Sequence, residues 1–157
     1  MFGFKKKETS FYAPQTGRII EVTRVPDQVF AEKMLGDGYA VEPTDNRVYS
    51  PVEGVVTMIQ DTGHAYGIRT SDGLEVLVHI GVNTVTLKGE GFESAVKEGT
   101  KVKPGTLLAT VNLELLKEKN LPACTIVLIT NMEDIRSIQV NTGEAIAAET
   151  IAMTYEK

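Results

Sequence analysis

The sequence has no tryptophan, one cysteine and two histidines in 157 residues. A disulfide scaffold is therefore excluded, and a domain of this size buries enough apolar surface to do without one. Cys124 lies in the apolar run Pro122-Ala123-Cys124-Thr125-Ile126-Val127-Leu128-Ile129 and reads as a buried strand residue, not a nucleophile. One unpaired thiol suits a reducing cytoplasm. Positive charge is also scarce: 16 Lys and Arg against 21 Asp and Glu give a formal net charge of −5. Nucleic acid, which demands a basic surface, is excluded as a partner, and basic partners are favoured. No apolar run approaches the roughly 20 residues that cross a bilayer. The start, Met1-Phe2-Gly3-Phe4-Lys5-Lys6-Lys7, is too apolar-poor for a secretory signal. It reads as part of a disordered tail over residues 1–10, able to touch an anionic membrane surface but not to insert stably, ahead of a single domain over residues 11–157. Neither G-x-x-x-x-G-K-[ST] nor a helix-opening G-x-G-x-x-G occurs, so Gly89-Glu90-Gly91 is no nucleotide loop.

What is present is a rhythm of short β-branched runs separated by Gly, Pro, Asn and Asp. Ala13-Pro14-x-x-Gly17-x-Ile19 recurs as Ser50-Pro51-x-x-Gly54-x-Val56, which implies two similar turn-then-strand units. Asp27 caps a short helical segment reaching Met34, and Asn112 caps a second one over residues 112–120. Strands are expected over Thr125–Thr130 and Ser137–Val140, then a turn at Asn141-Thr142-Gly143-Glu144, then a last strand from Ala147 to Tyr155. The fold class is all-β: an antiparallel β-sandwich, of the barrel-sandwich kind, with a few short helical turns.

The two histidines, His64 and His79, flank Thr70-Ser71-Asp72-Gly73. An Asp-Gly step between alternating apolar runs is a hairpin signal. With Asp72 and Gly73 as the loop, Tyr66 faces His79, His64 faces Gly81, and His64, Tyr66, Ile68, Leu77 and His79 share one face. A three-residue loop would shift this register and separate the rings. Two histidines on a hairpin can equally be ordinary half-buried sheet residues. As a functional pair they admit metal binding, acid–base catalysis or transport of a phosphoryl group on nitrogen. A catalytic zinc wants three protein ligands, and the spacing fixes none of Asp61, Asp72, Glu75 or Glu93 as the third. A phosphohistidine needs less: one bare ring nitrogen, an acceptor for the other, such as the Gly81 carbonyl, and a donor for the phosphoryl oxygens. His64 can be that donor, with Thr62 orienting it.

The runs Val25-Pro26-Asp27-x-Val29-Phe30-Ala31-Glu32-Lys33, Gly36-Asp37-Gly38, Thr62-x-His64-Ala65, Val78-His79-x-Gly81 and Thr84-Val85-x-Leu87-Lys88-Gly89-Glu90-Gly91-Phe92 resemble the glucose-type enzyme IIA component of the bacterial phosphoenolpyruvate-dependent sugar phosphotransferase system. The resemblance implies that His79 accepts a phosphoryl group from the phosphorylated histidine carrier protein, HPr, and passes it to a cysteine of a IIB domain of a sugar permease. It implies that His64 assists, that Thr62 bonds to His64, and that no cofactor is required. Asp27, Val29, Phe30, Met34, Leu35, Leu77, Asn83 and Val85 fall on the docking surface, with the apolar members as an exposed rim. Asn83 and Gln60 depart from the family pattern, where an aspartate and an aromatic stand. The alternative is a regulatory module that, unphosphorylated, inhibits transporters or kinases, in some relatives with a zinc ion shared between the positions of His64 and His79 and a partner carboxylate.

Overall fold

A computed structural model of the chain describes residues 9–157. The part of the expected tail over residues 1–8 lies outside the described residues. Its last two residues are not tail, because the first strand begins at Ser10 and the Thr9 carbonyl accepts a hydrogen bond from Tyr155 N–H. Among the described residues the chain forms fourteen strands. They are β1 (Ser10–Tyr12), β2 (Gly17–Glu21), β3 (Asp37–Pro43), β4 (Arg47–Tyr49), β5 (Gly54–Ile59), β6 (Ala65–Thr70) and β7 (Glu75–Ile80). The rest are β8 (Phe92–Ser94), β9 (Lys101–Val102), β10 (Leu107–Val111), β11 (Thr125–Ile129), β12 (Ser137–Val140), β13 (Gly143–Ala145) and β14 (Ile151–Glu156). Two short helices, α1 (Gln28–Ala31) and α2 (Leu113–Glu118), start at the expected caps: Asp27 accepts from Val29 N–H, and Asn112 from Leu115 N–H.

Among the described residues every strand pairing is antiparallel. One eight-stranded sheet runs β13-β2-β3-β11-β7-β6-β5-β9, and two three-stranded sheets run β1-β14-β12 and β4-β10-β8. The order is that of a two-fold repeat about the β11–β7 pair. A row across the large sheet reads Glu21, Tyr39, Val127, Val78, Tyr66, Ile59, with a buried tyrosine at the same step on either side. The Pro-x-x-Gly repeat is the entry to each half. Tyr12 N–H donates to Pro51 O (2.9 Å) and Tyr49 N–H to Pro14 O (2.7 Å), so the two proline turns hold each other. Gly17 and Gly54 begin β2 and β5, where a Cβ would stand 2.1 Å from Glu42 O and 2.3 Å from Arg69 O, and no side chain fits.

The three-stranded sheets close over one face of the large sheet, and Phe11, Val48, Leu108 and Met153 meet Tyr39, Tyr66, Val78 and Val127 in the main core. A second, smaller core lies on the opposite face, where Val22, Val25 and Phe30 from the β2–β3 connection cover Ile20, Ala40, Ile126 and Leu128. β11 is thus buried on both faces, as its unbroken apolar run requires. Two expectations near the C-terminus need correction. Gly143 and Glu144, read as part of a turn, belong to β13 because Gly143–Ala145 pair with β2, and the last strand starts at Ile151, not Ala147. The chain before it is turned at Ala148 (φ 65°) and pinned to the first proline turn by Ala148 N–H to Ala13 O (2.9 Å).

Candidate functional site

The hairpin carrying the histidines has a different register from the one expected. Thr70 N–H bonds to Leu74 O, so the loop is the three residues Ser71–Gly73, and His79 stands opposite Ala65, not Tyr66. The cause is tertiary: the Asp72 carboxylate accepts from both the Thr70 hydroxyl (2.5 Å) and the Tyr155 hydroxyl (2.6 Å), and Gly73 takes the left-handed position that closes a three-residue loop. Tyr66 and Ile68 consequently point into the main core, while Leu77 and His79 face the other way. The shift does not separate the rings. His64 sits one residue ahead of β6, beyond the reach of the pleat, where its carbonyl accepts from Ile80 N–H (2.7 Å). Its ring lies edge-on to that of His79, with centroids 5.0 Å apart.

Each imidazole has one nitrogen engaged. His79 Nδ1 lies 2.8 Å from Gly81 O, and since a carbonyl can only accept, Nδ1 carries the proton and neutral His79 keeps a bare Nε2. His64 Nδ1 is hydrogen-bonded to the Thr62 hydroxyl. Burial lowers the pKa of both rings. For His79 burial is the largest influence and the neighbouring His64 adds to it, against smaller opposing effects from Gly81 O and Asp27, so its pKa is pushed down to about 4. Both imidazoles are therefore neutral near pH 7, which is the state a nitrogen nucleophile requires.

The Gly81 carbonyl is aimed by a turn that leaves β7. Gly81 has φ +76°, and a Cβ there would meet Thr84 Cγ2 at 2.4 Å. Thr84, fully buried at the head of a short 3-10 turn over Thr84–Leu87, donates its hydroxyl to Ile80 O (2.6 Å). Thr84 was not among the expected site residues; a threonine three residues after the glycine is the signal available for it. Phe92 is a second omission, its ring 6.3 Å from that of His64.

Val29, Met34, Leu35 and Val85 are exposed apolar residues, 40–66% accessible, and Asn83 and Gln60 are exposed as well. Leu77 is half-buried. Phe30 corrects the expectation of an apolar rim made of surface residues, because it is only 6% exposed. It belongs to the second core and packs its ring on His79, with centroids 5.0 Å apart. Asp27 spends one carboxylate oxygen on the cap of α1. Cys124 is buried as expected, although one residue ahead of β11, and burial pushes its thiol up to about 11. Among the described residues no three His, Cys, Asp or Glu side chains come together to hold a metal ion, so a three-ligand zinc centre is not built here.

The family described as "phosphoenolpyruvate-dependent sugar phosphotransferase system, EIIA 1" matches residues 9–135. A relative from Buchnera aphidicola, named as a glucose-specific EIIA component of the same system, is 40% identical over 96% of this chain and 94% of its own length. One of the same name from Haemophilus influenzae is 39% identical over 100% of this chain and 96% of its own. A glucose-specific EIICBA component of Streptococcus pneumoniae is 42% identical over 98% of this chain, which spans 21% of that larger protein. The solved structure of the glucose permease IIA from Mycoplasma capricolum superposes with a TM-score of 0.87 at 37% identity, over 98% of this chain and 99% of that one. Sequence and fold agree over nearly the whole length, and the chain belongs to the enzyme IIA family of the phosphoenolpyruvate-dependent sugar phosphotransferase system, a family of phosphoryl carriers in sugar uptake.

Proposed function

We propose that His79 is the phosphoryl acceptor, loaded by phosphorylated HPr and discharged to a cysteine of a IIB domain. The observation that carries this reading is the 2.8 Å contact from His79 Nδ1 to Gly81 O, which leaves Nε2 with its lone pair. Nε2 attacks phosphorus while the bond from phosphorus to the donor's ring nitrogen breaks, its electron pair returning to that ring. The His79 imidazolium so formed keeps its Nδ1 proton on Gly81 O. In the second step a thiolate attacks phosphorus, the bond to Nε2 breaks, and His79 returns neutral. No nucleotide enters either step, and positioning and electrostatics supply the rate.

His64 assists when the Thr62 hydroxyl donates to its Nδ1 and leaves Nε2–H to donate to a phosphoryl oxygen. Thr62 is thereby a positioning residue for His64. The exposed apolar rim of Val29, Met34, Leu35 and Val85 supports docking of both partners over His79, with Asn83 and Asp27 as polar contacts. The fusion of a homologous segment into a pneumococcal EIICBA component supports a IIB domain as the next carrier. The relatives' names make glucose the first sugar to test.

Incubation with phosphoenolpyruvate, enzyme I and HPr is expected to yield an acid-labile adduct that His79→Gln cannot form; label on that variant overturns the reading. His64→Gln is expected to accept phosphate and to donate it about 100-fold more slowly. Donation at the normal rate removes the assisting role. The same apolar rim favours a second reading, regulation of a transporter or kinase by the unphosphorylated form. Phosphorylation adds nearly two negative charges there and is expected to dissolve such a complex.

A further inference from the structure

The glycine that aims the carbonyl at His79 is also the residue whose flanking peptides turn over most easily. A peptide flip between Gly81 and Val82 would replace the carbonyl beside Nδ1 with an N–H. That N–H would favour the tautomer protonated on Nε2, and the attacking lone pair would be gone. Something has to hold both peptides flanking Gly81, and the structure shows four contacts that do so. Gly81 N–H donates to Cys124 O (2.9 Å), Val82 N–H to Pro122 O (3.0 Å), and Gly81 O receives His79 Nδ1 (2.8 Å). The fourth is the Thr84 hydroxyl on Ile80 O (2.6 Å). It holds the carbonyl end of the peptide whose N–H end bonds to Cys124, so that peptide is fixed at both ends. Apart from His79 itself, Thr84 is the side chain in this brace.

We propose that Thr84 is a positioning residue for His79: its buried hydroxyl locks the Ile80–Gly81 turn so that the Gly81 carbonyl selects the Nδ1–H tautomer and leaves Nε2 free. Thr84 Cγ2 also stands 2.4 Å from where a Cβ at position 81 would lie, so it adds to the preference for glycine that the φ of +76° already sets. The inference rests on the phosphoryl-acceptor reading of His79, but its first readout does not depend on that reading.

Nitrogen-15 NMR of the unphosphorylated full chain reports the His79 tautomer directly. Wild type is expected to show Nδ1–H alone. Thr84→Val, which keeps the shape and removes the hydroxyl, is expected to show a mixture with Nε2–H and to accept phosphate from HPr about 10- to 100-fold more slowly. Thr84→Ser keeps the hydroxyl and is expected to restore both. A single Nδ1–H tautomer in Thr84→Val overturns the proposal, as does a Thr84→Ser variant as impaired as Thr84→Val, which would show that the retained hydroxyl does not set the tautomer. Should Thr84→Val fail to fold, Thr84→Cys, with a weakly donating thiol of similar size, makes the same comparison. If the wild-type chain takes no phosphate at all, the acceptor reading fails while the tautomer spectra still decide the role of Thr84.

Discussion

The β2–β3 half of the large sheet and the β5–β6 half share strand order and a Pro-x-x-Gly entry, but β5 is bulged after Val56 where β2 is regular, and their connections differ. Between β2 and β3 the chain makes an excursion through Val22, Val25 and α1 that buries the outer face of the sheet beneath Phe30. Between β5 and β6 it turns within Gln60–His64 and adds no residue to the smaller core. The outer face there stays open as a groove of about 680 Å³ lined by Val55, Thr57, Arg69, Lys101 and Lys103, sharing no residue with the histidine site. In the two-fold arrangement the position of His79 corresponds to Leu128, which is wholly buried under the cover. The histidine pair thus sits where the symmetry breaks: His79 has Phe30 of the covered half on one side and His64, from the short turn of the open half, on the other. An imidazole there is desolvated enough to stay neutral and open enough to be reached.

Removing the cover is expected to have the largest effect. Phe30→Ala deletes a buried ring from the second core and should cost about 3–5 kcal/mol. The same variant should raise the His79 pKa towards its ordinary value, because burial is the chief influence holding it down. On the open half, Val55 is 38% exposed, and Val55→Ala should cost about 0.5 kcal/mol or less. Chemical denaturation with an NMR titration of His79 checks both, and equal costs at the two positions would break the contrast.

Acid comes next. A histidine with a folded-state pKa near 4 and an unfolded value of about 6.5 binds its proton more readily in the unfolded chain, so stability rises with pH across that window. On acidification the contribution is intact above about pH 6.5, is lost progressively, and levels off below about 4. At about 1.4 kcal/mol per pKa unit the loss attributable to His79 is about 3 kcal/mol. Urea melts of wild type and His79→Gln between these limits measure it, and parallel pH profiles for the two proteins would refute it. Leu128, the matching position in the covered half, carries no proton and contributes no such term.

How far the sequence discloses this arrangement depends on the range of the interactions that decide each feature. The caps at Asp27 and Asn112, the Pro-x-x-Gly entries and the continuous apolar run of β11 are local patterns with local causes, and they are legible. So is the histidine pair with Gly81, because His79-Ile80-Gly81 brings ring and carbonyl together over two residues. The hairpin register is not, because Tyr155, 83 residues away, claims the Asp72 carboxylate. Nor is the burial of Phe30, whose neighbours Ile20, Ala40 and Leu128 come from three strands. The short helix looks like an amphipathic rim on its own and becomes a lid only on the assembled sheet. Strand β13 is hidden for the same reason, since Gly143–Ala145 has turn composition and becomes a strand by pairing with β2.

The smallest expected difference is also the cleanest comparison of the halves. Tyr39 and Tyr66 hold equivalent positions, and both are fully buried. The Tyr39 hydroxyl donates to Tyr12 O (3.0 Å), whereas the Tyr66 hydroxyl makes no well-formed hydrogen bond among the described residues, its one polar neighbour being the Ser94 side chain. A buried hydrogen bond contributes about 1 kcal/mol net, and an unpaired buried hydroxyl costs rather than stabilises. Tyr39→Phe should therefore lose about 1 kcal/mol, leaving the Tyr12 carbonyl without this donor, while Tyr66→Phe should be neutral or slightly stabilising. Equilibrium unfolding of the two variants decides the matter. Equal losses would mean that Tyr66, like Tyr39, is satisfied in solution, by Ser94 or a trapped water, and that the two halves of the core match more closely than their surfaces do.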